Sequence, residues 1–423
     1  MIVNSGSLES IDDEEKKKNT DYAKIAKAIG AITSQGIKVS LVDINSSDLS
    51  FSPDIANGQI RFGLKGLSQV NDDTVAEIIK HRPYTGIKDF MKRCPLKKTS
   101  MISLIKGGAF DELDKEWASK ISVEPRYAIM AYYLSQVADL KSKITLQNLN
   151  GLIQHNLVPP EYAETIRIVN FNKYLKNNKY KDYFILDIPC MNFYTSRFDT
   201  NYIEQEDNKY LISIDNWKRV YEDNCAAVFR KWIVNNQQQI LSNYNGILFK
   251  EMWDKYAEGN VSSWEMDACC FYYHPHELID VNMGKYGISD FFKLPEQPRI
   301  EYMWRKTIPI YELYKIIGTV ISKDDTRSTV SLLTTTGVVN VKFSKEYYAN
   351  FKKKLSKKNE DGTKTYIEDG WFSKGNKLMI TGYRNGDDFR AKTYSKTGGH
   401  QLYLITNVDG RNIELTHERA ETE

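Results

Sequence analysis

LKGLSQVNDDTVAEIIKHRPYTGIKDFMKRC, residues 64–94, places Val75, Ile78 and Ile79 at the spacing of one helical face. Asp72 or Asp73 is positioned to cap that helix. Pro83 ends it, since proline has no amide to donate and crowds the residue before it. A further helix is expected from about Lys97 to Lys106, stopping at Gly107-Gly108 ahead of AFDEL. Residues 66–113 therefore read as short helices joined by tight turns, with little strand potential.

Helix, short apolar-centred turn and capped helix is the outline of a helix-hairpin-helix. Such a motif holds a backbone phosphate with turn amides and the positive end of the following helix. The turn here is Gln69-Val70-Asn71, without glycine, and Asn71 is the residue expected to tolerate a left-handed conformation. A purely structural helical hairpin stays open as the alternative. Candidate contacts to duplex DNA are Lys65, Gln69, Asn71 and Lys80.

Outward from this block, residues 1–20 read as a mobile leader of mixed charge. DYAKIAKAIGAITSQGIKV puts Ile25, Ile29 and Ile32 on one helical face and ends at Gly36. LSFSPDIANGQIRFGL alternates around Asn57-Gly58, which signals a hairpin with a two-residue primed turn. Residues 21–115 form the helix-hairpin-helix-like region, and 116–260 a mostly helical, aromatic-rich middle region with KYLISI as a possible strand. A connector spans 261–311.

From Glu312 the texture becomes β. KIIGTVISKD, STVSLLTTT and GVVNVKFS are strand-like, KEYYANFKKKL is helical, and NKLMITGYRNGDDFRAKTY supplies two more strands. Three strands, a helix and two strands is the order of a five-stranded OB barrel, assigned to 312–410, with 411–423 as a polar tail. The fold class is thus α+β multidomain. OB barrels bind single strands through aromatic platforms and a basic groove. Among the candidates, Phe343 and Phe389 read better as barrel core, and Lys342, Tyr383, Arg384 and Arg390 as the single-strand surface.

Charge agrees with this placement. Net charge is +3, but Ser344–His400 holds 13 Lys and Arg against 7 Asp and Glu. A local basic excess suits a polyanion, and a merely solvated lysine face is the other reading. The five cysteines are odd in number and lack C-x-x-C spacing, which fits a reducing cytoplasm. Neither a signal peptide nor an apolar run of spanning length is legible, so no membrane association is expected.

DACCFYYHPHEL, residues 267–278, invites a metal assignment. Adjacent Cys269 and Cys270 point to different faces of any regular element, however, and Pro275 between His274 and His276 favours a turn. Both count against convergent zinc ligands, so inert buried cysteines beside a turn are expected. The sequence contains no D-x-D, no P-loop, no G-x-S-x-G and no H-E-x-x-H. Two-metal nucleotidyl transfer needs clustered carboxylates, so no catalytic residues, metal or cofactor are assigned to this chain.

AKIAKAIGAITSQGIKVSLVDINSSDLSFSPD, IRFGLKGL, TVAEIIKHRPYTGIKDFMKR and SLIKGGAFDEL, in this order over residues 23–113, resemble the distal fingers and helix-hairpin-helix of the bacterial DNA polymerase III alpha subunit. WEMDACCFYYHPHEL (264–278) resembles that family's structural connector, in which a helix leads to G-F-Y-x-x-x-H-P-L. Cys270 stands where the family has glycine, and His274-Pro275 keeps the His-Pro pair. The resemblance implies a non-catalytic, DNA-binding C-terminal portion of a family C DNA polymerase, cytoplasmic, and in the host cytoplasm if the source is viral. A separate chain would supply the palm domain with its magnesium. It also raises a sliding clamp as a partner, although no clamp-binding peptide is legible. The alternative is a stand-alone single-strand-binding replication accessory protein. A metalloenzyme built on His274, His276 and the cysteines is a distant third.

Overall fold

The computed structural model describes residues 22–206, 209–303, 306–358, 364–394 and 399–420, so the leader expected over 1–20 lies outside the described residues. Two compact units are formed, one by Met1–Ala131 with Ala257–Glu423 and the other by Tyr132–Tyr256. Among the described residues no helix is long and apolar enough to cross a membrane.

In the first unit, helix α1 (Tyr22–Ser34) buries Ile25 and Ile29, with Ile32 half-buried, as the spacing requires. Strands β1 (Lys38–Ser40), β2 (Ser52–Asp54) and β3 (Gln59–Arg61) form a small sheet, β1 parallel and β2 antiparallel to the central β3. The hairpin at Asn57-Gly58 exists, but its turn is not the two-residue primed type. Asp54 pairs with Gln59 across a 3-10 turn, Ile55–Asn57, whose Asn57 amide is capped by the Asp54 carboxylate. Gly58 takes the left-handed corner at φ +61. The local Asp54 cap overrides the dipeptide preference.

Helices α2 (Asp72–Lys80), α3 (Ile87–Arg93), α4 (Lys98–Lys106), α5 (Asp111–Ala118) and α6 (Pro125–Val137) follow. Val75 and Ile78 are buried, while Ile79 faces solvent. Tyr84, Phe90 and Phe110 pack in a row, tilted and then edge-on, with centroids 4.7 and 5.2 Å apart, tying α3 to the loop before α5. Each such buried side chain contributes roughly 1.5–3 kcal/mol.

The second unit comprises α7 (Leu149–Gln154), α8 (Ala163–Asn177), β4 (Lys179–Tyr180), β5 (Tyr183–Leu186), α9 (Ile188–Thr195), β6 (Ile203–Glu206), β7 (Lys209–Ser213), α10 (Ile214–Tyr221) and the 30-residue α11 (Ala227–Tyr256). Its four strands pair in the order β4-β5-β7-β6. Trp217 is fully buried, and its indole nitrogen donates to Asn172 at 3.0 Å, so its polar atom is satisfied. Along α11, Phe229, Ile233, Ile240 and Tyr244 repeat at helical spacing and pack on α7 and its flanks.

Back in the first unit, α12 (Val261–Cys269) and α13 (Met283–Tyr286) lead to a lone hairpin of β8 (Arg299–Met303) and β9 (Lys306–Ile310). The barrel follows: β10 (Tyr314–Asp324), β11 (Thr329–Leu333), β12 (Val338–Lys342), α14 (Lys345–Lys352), a hairpin of β13 (Leu355–Lys358) and β14 (Lys364–Glu368), then β15 (Lys377–Asn385) and β16 (Asp388–Ala391). The pairing order β10-β11-β12-β16-β15 is closed by β10 against β15, with β12 and β16 parallel. This is the OB arrangement, and its core holds Val320, Val339, Val341, Trp371, Leu378 and Phe389. Phe343 is buried with them.

Strands β17 (Leu402–Asp409) and β18 (Asn412–Thr416) extend the sheet from β15. The polar tail expected from residue 411 is therefore corrected. Asn412–Thr416 is paired with β17, and Arg419 beyond it donates to the carbonyls of Asn350, Lys353 and Asp369. A short strand with one buried residue, Ile413, carries too little alternation to be legible.

Candidate nucleic-acid interface

Register fixes where the barrel candidates lie. Thr329 pairs with Lys342, Lys342 with Arg390, and Arg390 with Tyr383, forming one row across β11, β12, β16 and β15. Their strand neighbours Val341 and Phe389 are buried, so by the two-residue alternation this row belongs to the outer face of the barrel. Arg390 is exposed, and Lys342 and Tyr383 are half-buried. Lys342 sits 2.5 Å from the Asp388 carboxylate, two positions before Arg390 on the same face. Tyr383 leans on Tyr311 with ring centroids 4.3 Å apart. Burial, then the neighbouring Tyr311, raises its hydroxyl pKa, so it stays neutral. Lys392 lies 5.2 Å from the Tyr311 ring centroid and 5.1 Å from that of Tyr394. The sequence singled out Lys342, Tyr383 and Arg390; it missed Tyr311, Lys392 and Tyr394. Lys392, two residues after Arg390, was open to the same alternation argument.

Arg384 is corrected. It pairs with the core residue Phe389 and so projects from the opposite face to Tyr383. Its side chain is only 9 % exposed. Its guanidinium donates to the carbonyls of Gly386 (2.9 Å), Phe292 (3.3 Å) and Leu294 (3.1 Å), pairs with Glu296 at 3.0 Å and covers the Phe291 ring. It clasps residues 291–296 to the barrel and is no surface group.

The helical candidates do not converge. Lys65 pairs with Asp72 at 2.7 Å. Lys80, exposed at the far end of α2, lies 3.8 Å from Glu77 and about 12 Å along the axis from the helix start. Gln69, not Asn71, is the left-handed residue (φ +62), and its carbonyl accepts from the Ser100 hydroxyl at 2.7 Å. Asn71 is instead the N-cap of α2, in place of Asp72 or Asp73, accepting from the Thr74 amide at 2.9 Å. The amides of Gly66, Leu67 and Ser68 donate to Gly63, Leu64 and Ala268 carbonyls. Asp72 and Asp73 occupy the first turn of α2, where their charge opposes an incoming phosphate.

The 264–278 stretch is a structural clasp. Glu265, fully buried, pairs with Arg126 at 3.1 Å and accepts from the amides of Tyr273 and His274, with His274 Nδ1 2.6 Å away. Arg126 also pairs with Asp111 at 2.5 Å, joining α5 and α6 to α12. His276 Nδ1 accepts from the Leu278 amide, so its Nε2–H donates to the Leu333 carbonyl; burial pushes its pKa down to about 4. Burial pushes the thiols of Cys269 and Cys270 up, against thiolate chemistry. Cys270 is left-handed (φ 62) as the C-cap of α12, a position that favours glycine. Among the described residues no three His, Cys, Asp or Glu side chains gather so as to hold a metal ion.

A helical hairpin block, a clasped connector and a closed OB barrel thus follow one another along the first unit. Comparison with known proteins agrees. A helix-hairpin-helix motif model matches residues 36–119. Over a 440-residue alignment covering the whole chain, it is 38 % identical to a probable DNA polymerase of Bacillus subtilis (strain 168) and to a DNA-directed DNA polymerase of Bacillus phage SPbeta. A DNA polymerase III subunit alpha of Chlamydia pneumoniae is 30 % identical over 168 residues, 38 % of this chain and 13 % of that protein. The chain spans 33 % of the length of the two Bacillus-associated relatives. The resemblance thus holds: the chain is similar to these DNA polymerases and fits a C-terminal part of the alpha type, and the helix-hairpin-helix match overlaps residues 23–113.

Proposed function

We propose that this chain is a non-catalytic, DNA-binding portion of a DNA polymerase III alpha-like replicative enzyme. The observation that carries the proposal is the Lys342–Arg390–Tyr383 row, two cations and an aromatic ring in register on one outer face of an OB barrel. Such a surface suits a single strand, the cations tracking phosphates and the ring offering a base-stacking face. The helix-hairpin-helix region, with Lys65, Gln69, Asn71 and Lys80, is proposed to approach duplex DNA. Its acidic first turn, Asp72 and Asp73, argues for a weaker contact there than on the barrel. The palm carboxylates and their magnesium are proposed to lie on a partner chain, and a sliding clamp is a further candidate partner.

Titrating fluorescent single-stranded and duplex DNA with the purified chain tests the proposal. Single-strand binding that exceeds duplex binding and is lost on Lys342→Glu with Arg390→Glu is expected. Binding of neither form at low salt would sink it. In a primer-extension assay with magnesium and all four nucleotides the chain alone should incorporate nothing.

A further inference from the structure

Beside the outer row of the barrel lies a cleft of about 210 Å³ between residues 295–299, 310–314 and strand β15. Tyr311 and Tyr383 line it, with Pro298, Ile310, Glu312 and Tyr314. The cleft is smaller than the roughly 300–1,000 Å³ of drug-sized ligand sites, which limits an occupant to one flat ring system. The two tyrosine rings are tilted by 43° rather than parallel, so they do not close on each other as a finished stack and leave ring surface toward the cleft.

We infer that this cleft receives one unstacked nucleobase of the single strand and selects a base bearing an amino group. The inference rests on the proposed single-strand role, since Tyr383 belongs both to the Lys342–Arg390 row and to the cleft wall. A strand whose phosphates follow the two cations brings its bases against Tyr383. A base turned into the cleft lies face-on against one of the two tyrosine rings and presents its edge to Glu312. Glu312 is exposed and accepts one hydrogen bond, from the Tyr314 hydroxyl at 2.6 Å. A carboxylate has about four lone-pair sites and no donor, so capacity remains for amino hydrogens. Cytosine and adenine offer an amino group, and guanine offers two adjacent N–H groups. Thymine offers one N–H flanked by two carbonyl oxygens, which the carboxylate repels. The usual rule for single-strand grooves is a weak preference set by stacking and flexibility, so discrimination against thymine would be a distinct signature.

The test is fluorescence anisotropy with the full chain and oligomers of dC and dT of equal length at one salt concentration. The expected result is about tenfold tighter binding of dC, near the low end of what a matched base-edge contact gives. Glu312→Gln, at an exposed position where folding is not at risk, should bring the two within about twofold without weakening dT. Equal or tighter dT binding by the native chain would overturn the base pocket while leaving the single-strand function standing. So would a dC preference that survives Glu312→Gln. Binding of neither oligomer would overturn both.

Discussion

Arg384 and Arg390 are two residues of the same type, six apart, with opposite fates set by strand parity. Arg390 stands outside on β16, whereas Arg384 turns in at the end of β15 to hold three carbonyls and Glu296. Removing a buried guanidinium leaves those acceptors unpaired, at ~1–3 kcal/mol for each that water cannot reach. Arg384→Ala is expected to lower unfolding stability by about 2–4 kcal/mol in urea melts, while Arg390→Ala changes it by less than about 0.5 kcal/mol. A second residue-level effect comes from His276. Its folded pKa, about 4, is below the usual 6.5. The unfolded chain therefore takes up the proton first as pH falls. The neutral imidazole's contribution is complete above pH 6.5 and is lost progressively down to about pH 4. A shift of that size corresponds to about 3 kcal/mol. His276→Gln, which keeps an N–H for Leu333 but does not titrate, should lose about 2–3 kcal/mol less stability than the native chain between pH 7 and 4.5. Equal losses would show that the imidazole is not held neutral.

At the scale of elements, the glycine-poor turn before α2 solves its geometry by an unexpected route. Gln69 is left-handed and exposed, and Asn71 does the capping. A left-handed L-residue costs roughly 1–2 kcal/mol, which glycine avoids apart from its larger chain entropy. Gln69→Gly is expected to stabilise the chain by up to about 1 kcal/mol, and Asn71→Ala to destabilise it by about 1 kcal/mol. Destabilisation by Gln69→Gly would mean that the glutamine side chain bears a contact of its own. The elements themselves were largely legible. Val75 and Ile78 marked α2, Gly107-Gly108 stopped α4, and the strand–helix–strand order from 314 to 391 fixed the barrel. What escaped the sequence was local competition: Asn71 over Asp72 as cap, the Asp54 cap over a primed turn, and the parity that turned Arg384 inward. Each depends on one or two torsions that composition and period do not encode. The β17–β18 extension escaped because its strands are half-exposed and irregular, with a register shift between Ile405 and Asn407.

At the scale of the whole molecule, the two regions proposed to meet DNA differ in how their charge is disposed. In the hairpin block, Lys65 is held by Asp72 and the α2 start is acidic. On the barrel, Arg390 is exposed and Lys342 is paired with Asp388, itself half-buried on the same face. Phosphate contacts release counterions, so the logarithm of affinity falls with the logarithm of salt concentration by about 0.7 per neutralised phosphate on single strands. Replacing both Lys342 and Arg390 with Ala should flatten that slope by about 1.4 if each cation meets one phosphate. Asp388→Asn works in the opposite direction. Without its carboxylate, Lys342 no longer gives up an ion pair before meeting a phosphate, so single-strand affinity at low salt should rise about three- to tenfold and the slope steepen. Duplex affinity, proposed above to rest on the hairpin block, should move by less than about twofold under all three substitutions. Anisotropy titrations at four or five salt concentrations read every one of these quantities. An unchanged single-strand slope in the double alanine variant would remove the barrel row from the interface, and a parallel loss of duplex binding would show that one shared surface serves both forms of DNA.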